Sequence, residues 1–315
     1  LKSRASAPGK VILFGEHFVV YGVKAILCAI DKRITVTVEK IPDKKIVIES
    51  KIGNIITDAE KPISEIYTPL RPFYFLADKM IQKHDEEMGL KINIDSEIPS
   101  GVGLGSSSAC CVAGAAAISR IYKKNSKEEI LQLAIEAEKT IFPDTSGADC
   151  TVCTFGGLIQ YDKNQGYSKI NSEHNFHIVI ANSKIKHSTK EVVSKVKKFK
   201  EQNETKFSQI CKRESQLIEE VIEYLKKNQL NRIGENIKKN QKFLEIIGIS
   251  NEKLQSMIEI ADEFSFGSKI TGAGGGGCIF ALTNEANLKE TIQRLKENNY
   301  DCFSARIDFK GLDTF

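Results

Sequence analysis

Residues 99–109 read Pro-Ser-Gly-Val-Gly-Leu-Gly-Ser-Ser-Ser-Ala and lead into a run of small apolar residues, Ala109 to Tyr122. Glycines at 101, 103 and 105 let a backbone turn tightly and come close to a ligand. If the apolar run is a buried helix, its first-turn N–H groups lack intrahelical partners and form a ready site for an anion such as phosphate. The three serines add hydroxyls that suit phosphate or Mg2+. A plain glycine-rich turn would need neither the serines nor the helix behind it. Neither of the commonest nucleotide motifs is present: Ser106 breaks G-x-G-x-x-G, and no Gly-Lys-Ser/Thr closes a Walker loop.

Other candidate chemistry is weaker. Cys150-Thr-Val-Cys153 has redox or zinc spacing, but no second C-x-x-C accompanies it, and His174-x-x-His177 is too isolated to complete a site. The eight cysteines fall mostly in apolar stretches and read as small core residues. His84, His174 and His177 read as surface residues. With 45 Lys and Arg against 41 Asp and Glu, the net charge of +4 is too small for 315 residues to imply nucleic acid. The longest apolar run, Cys110 to Ile118, is about half a membrane span. Residues Leu1 to Arg4 lead into no leader-like apolar segment, so a cytoplasmic protein is expected.

The elements that must position the glycine loop follow from periodicity. Alternation at Ile34-Val36-Val38, Ile46-Ile48 and Leu90-Ile92-Ile94 predicts half-buried strands. Ser126 and Glu129 have capping-box spacing and open a helix running to about Ile141, where Pro143 stops it, so Glu138 lies near its C-terminal end. A strand follows Gly156-Gly157 as far as Tyr161. The polar stretch from Asp162 to Glu173 predicts a boundary between two domains, 1–170 and 171–315, in line with about 150 residues per domain. Beyond it, Phe176 to Ala181 reads as a strand, residues 189–264 as Lys- and Glu-rich amphipathic helices, and Phe303 to Phe309 as a late strand. Lys195, Lys197, Lys198 and Lys200 read as a solvated helix face.

Pro-x-Gly-x-Gly-Leu-Gly-Ser-Ser resembles the central motif of the galactokinase, homoserine, mevalonate and phosphomevalonate kinase superfamily. Ala7-Pro-Gly-Lys-Val-Ile-Leu-Phe-Gly-Glu-His-Phe-Val-Val-Tyr-Gly22 resembles its first motif, and Lys269-Ile-Thr-Gly-Ala-Gly-Gly-Gly-Gly-Cys278 its C-terminal one. The three lie in family order across nearly the whole chain. Phe18-Val19 after Glu-His matches the mevalonate kinase form of the first motif, where galactokinases carry Thr-Asp. Glu138 to Gly157, with Ser146-Gly-Ala-Asp149, is similar to the same family's catalytic segment, in which a Glu precedes the Asp by eleven residues.

What the resemblance implies is an α+β protein of two lobes with the active site in the cleft between them. The N-terminal lobe would be the α/β nucleotide-binding type of these small-molecule kinases, and the C-terminal lobe ferredoxin-like α+β. ATP would phosphorylate mevalonate on its 5-hydroxyl with Mg2+ present. Pro99, Ser100, Gly101, Val102, Gly103, Leu104, Gly105, Ser106, Ser107 and Ser108 would hold ATP, with Gly272 and Gly274 closing over the triphosphate. Ser107 and Glu138 would ligate Mg2+, Asp149 and Lys10 would be catalytic, and Glu16, His17, Tyr161 and Thr189 would contact mevalonate. His187 stands where the family's Arg-Ser-Thr-Lys segment has its arginine. No membrane or nucleic acid is implied, and a homodimer is compatible with the resemblance.

Overall fold

The first half of the first motif is a strand buried on both faces. The computed structural model describes every residue except 85–86, 100–101, 173–175 and 187, so the expectations for Ser100, Gly101, His174 and His187 lie outside the described residues. Strand β1 (Lys2–Phe14) is buried at nearly every position from Ala5 to Phe14, which removes the alternation that marks a half-solvated strand. It pairs antiparallel with β2 (Ala25–Ile41), with a register shift at Pro8/Gly9. β3 (Lys45–Ser50), β4 (Gly53–Asp58) and, after α1 (Arg71–Lys83), β5 (Gly89–Ser96) extend the sheet in the order β1-β2-β5-β3-β4.

Against this sheet lies α2 (Ser106–Arg120), the small apolar helix, buried without interruption from Cys111 to Ser119. Its lack of bulk permits close packing: a Cβ at Gly114 would come within 2.7 Å of Phe73 Cε1 on α1. α3 (Lys127–Lys139) starts at the complete capping box of Ser126 and Glu129. α4 (Ala148–Phe155) leads into the hairpin β6 (Leu158–Asp162) and β7 (Gly166–Ile170), with β6 pairing the first residues of β2. The polar stretch from Asp162 is therefore not all connection. β7 is exposed at residues 166–169, so it lacked any apolar pattern.

The second sheet contains β8 (His177–Asn182), then, after the helices α5 (Thr189–Gln202), α6 (Glu204–Lys226), α7 (Leu230–Ile246) and α8 (Glu252–Asp262), β9 (Gly267–Ile270) and β10 (Cys278–Thr283). Helix α9 (Glu285–Glu297) and β11 (Asp301–Arg306) complete it. Its order, β11-β8-β10-β9, all antiparallel, is the split β-α-β arrangement of ferredoxin-like folds, with α5 to α8 filling the first crossover. The chain then returns. Residues Asp313–Thr314 form β12 on β1 of the first sheet, so the last residues belong to the N-terminal sheet.

Two readings need correction. Phe309 is half-exposed beyond the end of β11, because the strand stops where the chain turns back toward β1. His177 is buried, with Nε2 2.8 Å from Glu285 on α9. It opens a strand covered by that helix. Among the described residues, no helix is long and apolar enough to cross a membrane.

Candidate active site

Lys10 and the glycine loop are built as one unit. The Lys10 amide donates to Leu104 O at 2.9 Å, tying β1 to the loop. The lysine stem then passes Gly105, where an added Cβ would lie 2.7 Å from Lys10 Cγ. Gly105 also caps α2 with φ at 73°. A left-handed backbone and room for a neighbouring lysine together require glycine here. With no side-chain cap, the first-turn amides of α2 stay available to an anion. Lys10 Nζ reaches Asp149 Oδ2 at 3.0 Å; the lysine side chain is 4% exposed and the carboxylate 34%. The acid is thus the member of the pair that a substrate can reach. It stands in the first turn of α4, where the helix dipole favours negative charge.

Glu138, in the last turn of α3, is buried behind this pair. Its carboxylate accepts from the Ser108 hydroxyl and from Thr145 Oγ1 at 2.6 Å. Burial pushes its carboxyl above the ordinary range, the two hydroxyls pull it back, and the charge of Asp149 adds to the upward push. Ser107 is half-buried, and among the described residues its hydroxyl has no partner. Tyr161 donates its hydroxyl to Ser146 O at 2.6 Å and so fixes the turn ahead of Asp149.

The first-motif turn meets the C-terminal glycine run. Thr271 Oγ1 accepts from the Ile12 amide at 3.1 Å and lies 3.3 Å from Ile12 O. His17 Nε2 lies 2.7 Å from Ala273 O. A carbonyl can only accept, so Nε2 carries the proton, and burial pushes the imidazole pKa down toward the neutral form. Glu16 is buried in an ion pair with Lys269. Gly272, at φ 81°, lies against Gly103, where a Cβ would be 3.6 Å from that residue's Cα and O. The two glycine loops therefore touch. A Cβ at Gly274 would be 2.8 Å from Ile249 O.

The structure thus brings Lys10, Asp149, Glu138 and residues 102–108 together, with Gly272 against them. Glu16 and His17 have Lys269 and Ala273 as their described partners. Thr189 is exposed as the first residue of α5, and among the described residues it has no hydrogen bond to the group. Thr145, Lys269 and Glu214 were missed. Glu214 left a signal: Phe207, Ile210, Leu217, Ile218, Val221 and Leu225 form the buried stripe of α6, and Glu214 falls in phase with them.

Comparison with known proteins bears on the family and the fold. Residues 73–157 match the GHMP kinases N terminal domain and residues 221–301 the GHMP kinases C terminal domain. The mevalonate kinase of Thermococcus sibiricus is 36% identical over 301 residues, covering 89% of both chains. The crystal structure of the Methanococcus jannaschii mevalonate kinase superposes with a TM-score of 0.87 at 30% identity, covering 97% of this chain and 98% of that one. The L. major mevalonate kinase, solved in complex with R-mevalonate, gives 0.82 at 26% identity over 96% and 95%. With both lobes, the three motifs and full-length relatives in agreement, the chain belongs to the mevalonate kinase family of the GHMP kinases.

Proposed function

We propose that this chain transfers the γ-phosphoryl group of ATP to the 5-hydroxyl of mevalonate. The observation that carries the reading is the contact of Lys10 with a partly exposed Asp149 beside an uncapped helix N-terminus. Phosphoryl transfer needs little covalent chemistry from a protein; positioning and neutralisation of charge supply most of the rate. Asp149 accepts the proton of the attacking hydroxyl or orients it. Lys10, paired with that carboxylate, steadies charge on the transferring group. The α2 amides and the serine hydroxyls hold the phosphates.

Magnesium fits the donors available. Glu138 and the Ser107 hydroxyl, which has no partner among the described residues, are hard oxygen ligands of the kind this ion prefers beside phosphates and water. When bound it would neutralise phosphate charge. Glu138 and Ser107 would hold it, and Ser108 and Thr145 would keep the Glu138 carboxylate oriented.

Mevalonate, galactose, homoserine and phosphomevalonate offered at equal concentration to the purified protein, with ADP release and phosphorus NMR as readouts, test the reading. Mevalonate should react fastest and carry phosphate on its 5-oxygen. Faster turnover of a competitor, or phosphate on the 3-oxygen, would overturn it.

A further inference from the structure

Beneath the first-motif turn lies a buried group of charges centred on Glu214, a residue with no part in the proposed transfer. Glu214 on α6 is fully buried, accepting from the Gly15 amide at 3.0 Å and from Asn240 Nδ2, on α7, at 2.6 Å. One residue on from Gly15, Glu16 pairs with the equally buried Lys269 of β9. If all three ionise, the group carries two negative charges and one positive one, a net charge that a low-dielectric interior opposes. Two acceptors in it are unpaired among the described residues: Glu16 Oε2 and Asn240 Oδ1.

We propose that Glu214 is a positioning residue for the reaction: it holds Gly15 and, by competing with Glu16 for the Lys269 ammonium, sets how firmly the Gly15–His17 turn is fixed over the cleft. Protonated Glu214 leaves Lys269 to Glu16. It can also donate to Asn240 once that amide turns its free oxygen inward. Ionised Glu214 takes the Asn240 N–H instead and draws on Lys269, loosening Glu16. Burial raises the Glu214 carboxyl to about 7, the Asn240 hydrogen bond pulls it down and the Glu16 charge pushes it up, with Lys269 and the Gly15 amide lowering it. These are the groups facing it from the turn, β9 and α7. From its own helix Cys211 faces it, and Lys10 acts on Glu16.

The effect on turnover rests on the mevalonate reading, so the test has a second arm that does not. In the first, kcat/KM for mevalonate is compared between the parent and Glu214→Gln from about pH 6 to about pH 8.5; the parent-to-variant ratio should fall at least about threefold as Glu214 ionises. A constant ratio overturns the proposal. The second arm is Tm. A folded-state acid raised above its ordinary 4.5 binds its proton more tightly than the unfolded chain does, so its stabilisation falls as pH rises toward about 7. The Tm of Glu214→Gln relative to the parent should therefore climb over that interval. A pH-independent difference overturns the proposal even if mevalonate is inert with both proteins. Should Glu214→Gln fail to fold, Asn240→Leu removes the amide from both forms, and because its N–H bond to the charged carboxylate is the stronger of the two, the midpoint of this variant should lie above the parent's; an unmoved midpoint overturns the proposal.

Discussion

Lys10 Nζ stands 3.0 Å from Asp149 Oδ2, joining a strand of the first motif to the first turn of α4 across about 140 residues of chain. Asp149→Asn keeps the size of the side chain and removes its charge. It should preserve the fold and ATP binding and lower turnover at least about 100-fold, the scale of a lost acid–base group. Initial rates and nucleotide titration check this; near-normal turnover would exclude Asp149 from the chemistry.

Gly105→Ala and Gly272→Ala separate crowding from backbone strain. Both glycines have positive φ, but the Cβ at 105 meets Lys10 Cγ at 2.7 Å, while that at 272 finds ordinary contact at 3.6 Å. Each should lose about 1 kcal/mol or more of stability to strain. The first should also displace Lys10 and cut kcat severalfold further than the second. Equal kcat losses would show that Lys10 tolerates the intrusion.

The Glu138 carboxyl is held above its ordinary 4.5 by burial, so at limiting Mg2+, where the ion must displace that proton, the acid limb of activity should lie above the usual carboxylate range. Because the folded state holds this proton more tightly, the contribution of Glu138 to stability declines as pH rises through its raised pKa. Ser108→Ala removes a hydroxyl that favours the ionised form and should move the acid limb to higher pH. Ser107→Ala should leave the limb in place and raise the Mg2+ requirement instead. The pH–rate profiles and Mg2+ titrations of the two variants distinguish them; exchanged behaviour would exchange their roles.

Tyr161→Phe deletes the hydroxyl bonded to Ser146 O. A stability loss of about 0.5 to 1.5 kcal/mol is expected. Since that bond fixes the turn before Asp149, kcat should fall more than KM rises. A change confined to KM would place the phenol on the substrate.

Much of this was legible where one face of an element meets water. The alternation of Ile34, Val36 and Val38 lies in β2, and the Ser126–Glu129 pair opens α3. Periodicity fails where both faces are covered, as in β1, or where neither is, as in β7. The resemblance of residues 138–157 to the family's catalytic segment pointed to Glu138 and Asp149, yet no motif relates Glu16 to Lys269, 253 positions away. Ser108 illustrates a subtler limit. Three adjacent serines look equivalent in sequence, but 100° of helical rotation per residue turns Ser108 inward to Glu138 and leaves Ser107 without a partner among the described residues.

β12 has a mechanical consequence. The chain leaves the first sheet after Ile170 to enter the second and comes back at Ile307, which bridges Ile30, before Ser6 and Ala5 pair with Asp313 and Thr314. Two strands of covalent chain therefore join the lobes, as two hinges join a door to its frame. Swinging about the line through both strains the chain least, yet the buried Glu16–Lys269 pair and the Gly15–Glu214 bond span the same lobes and must part before such a swing. Gly272 against Gly103 bridges the two lobes as well, through their glycine loops.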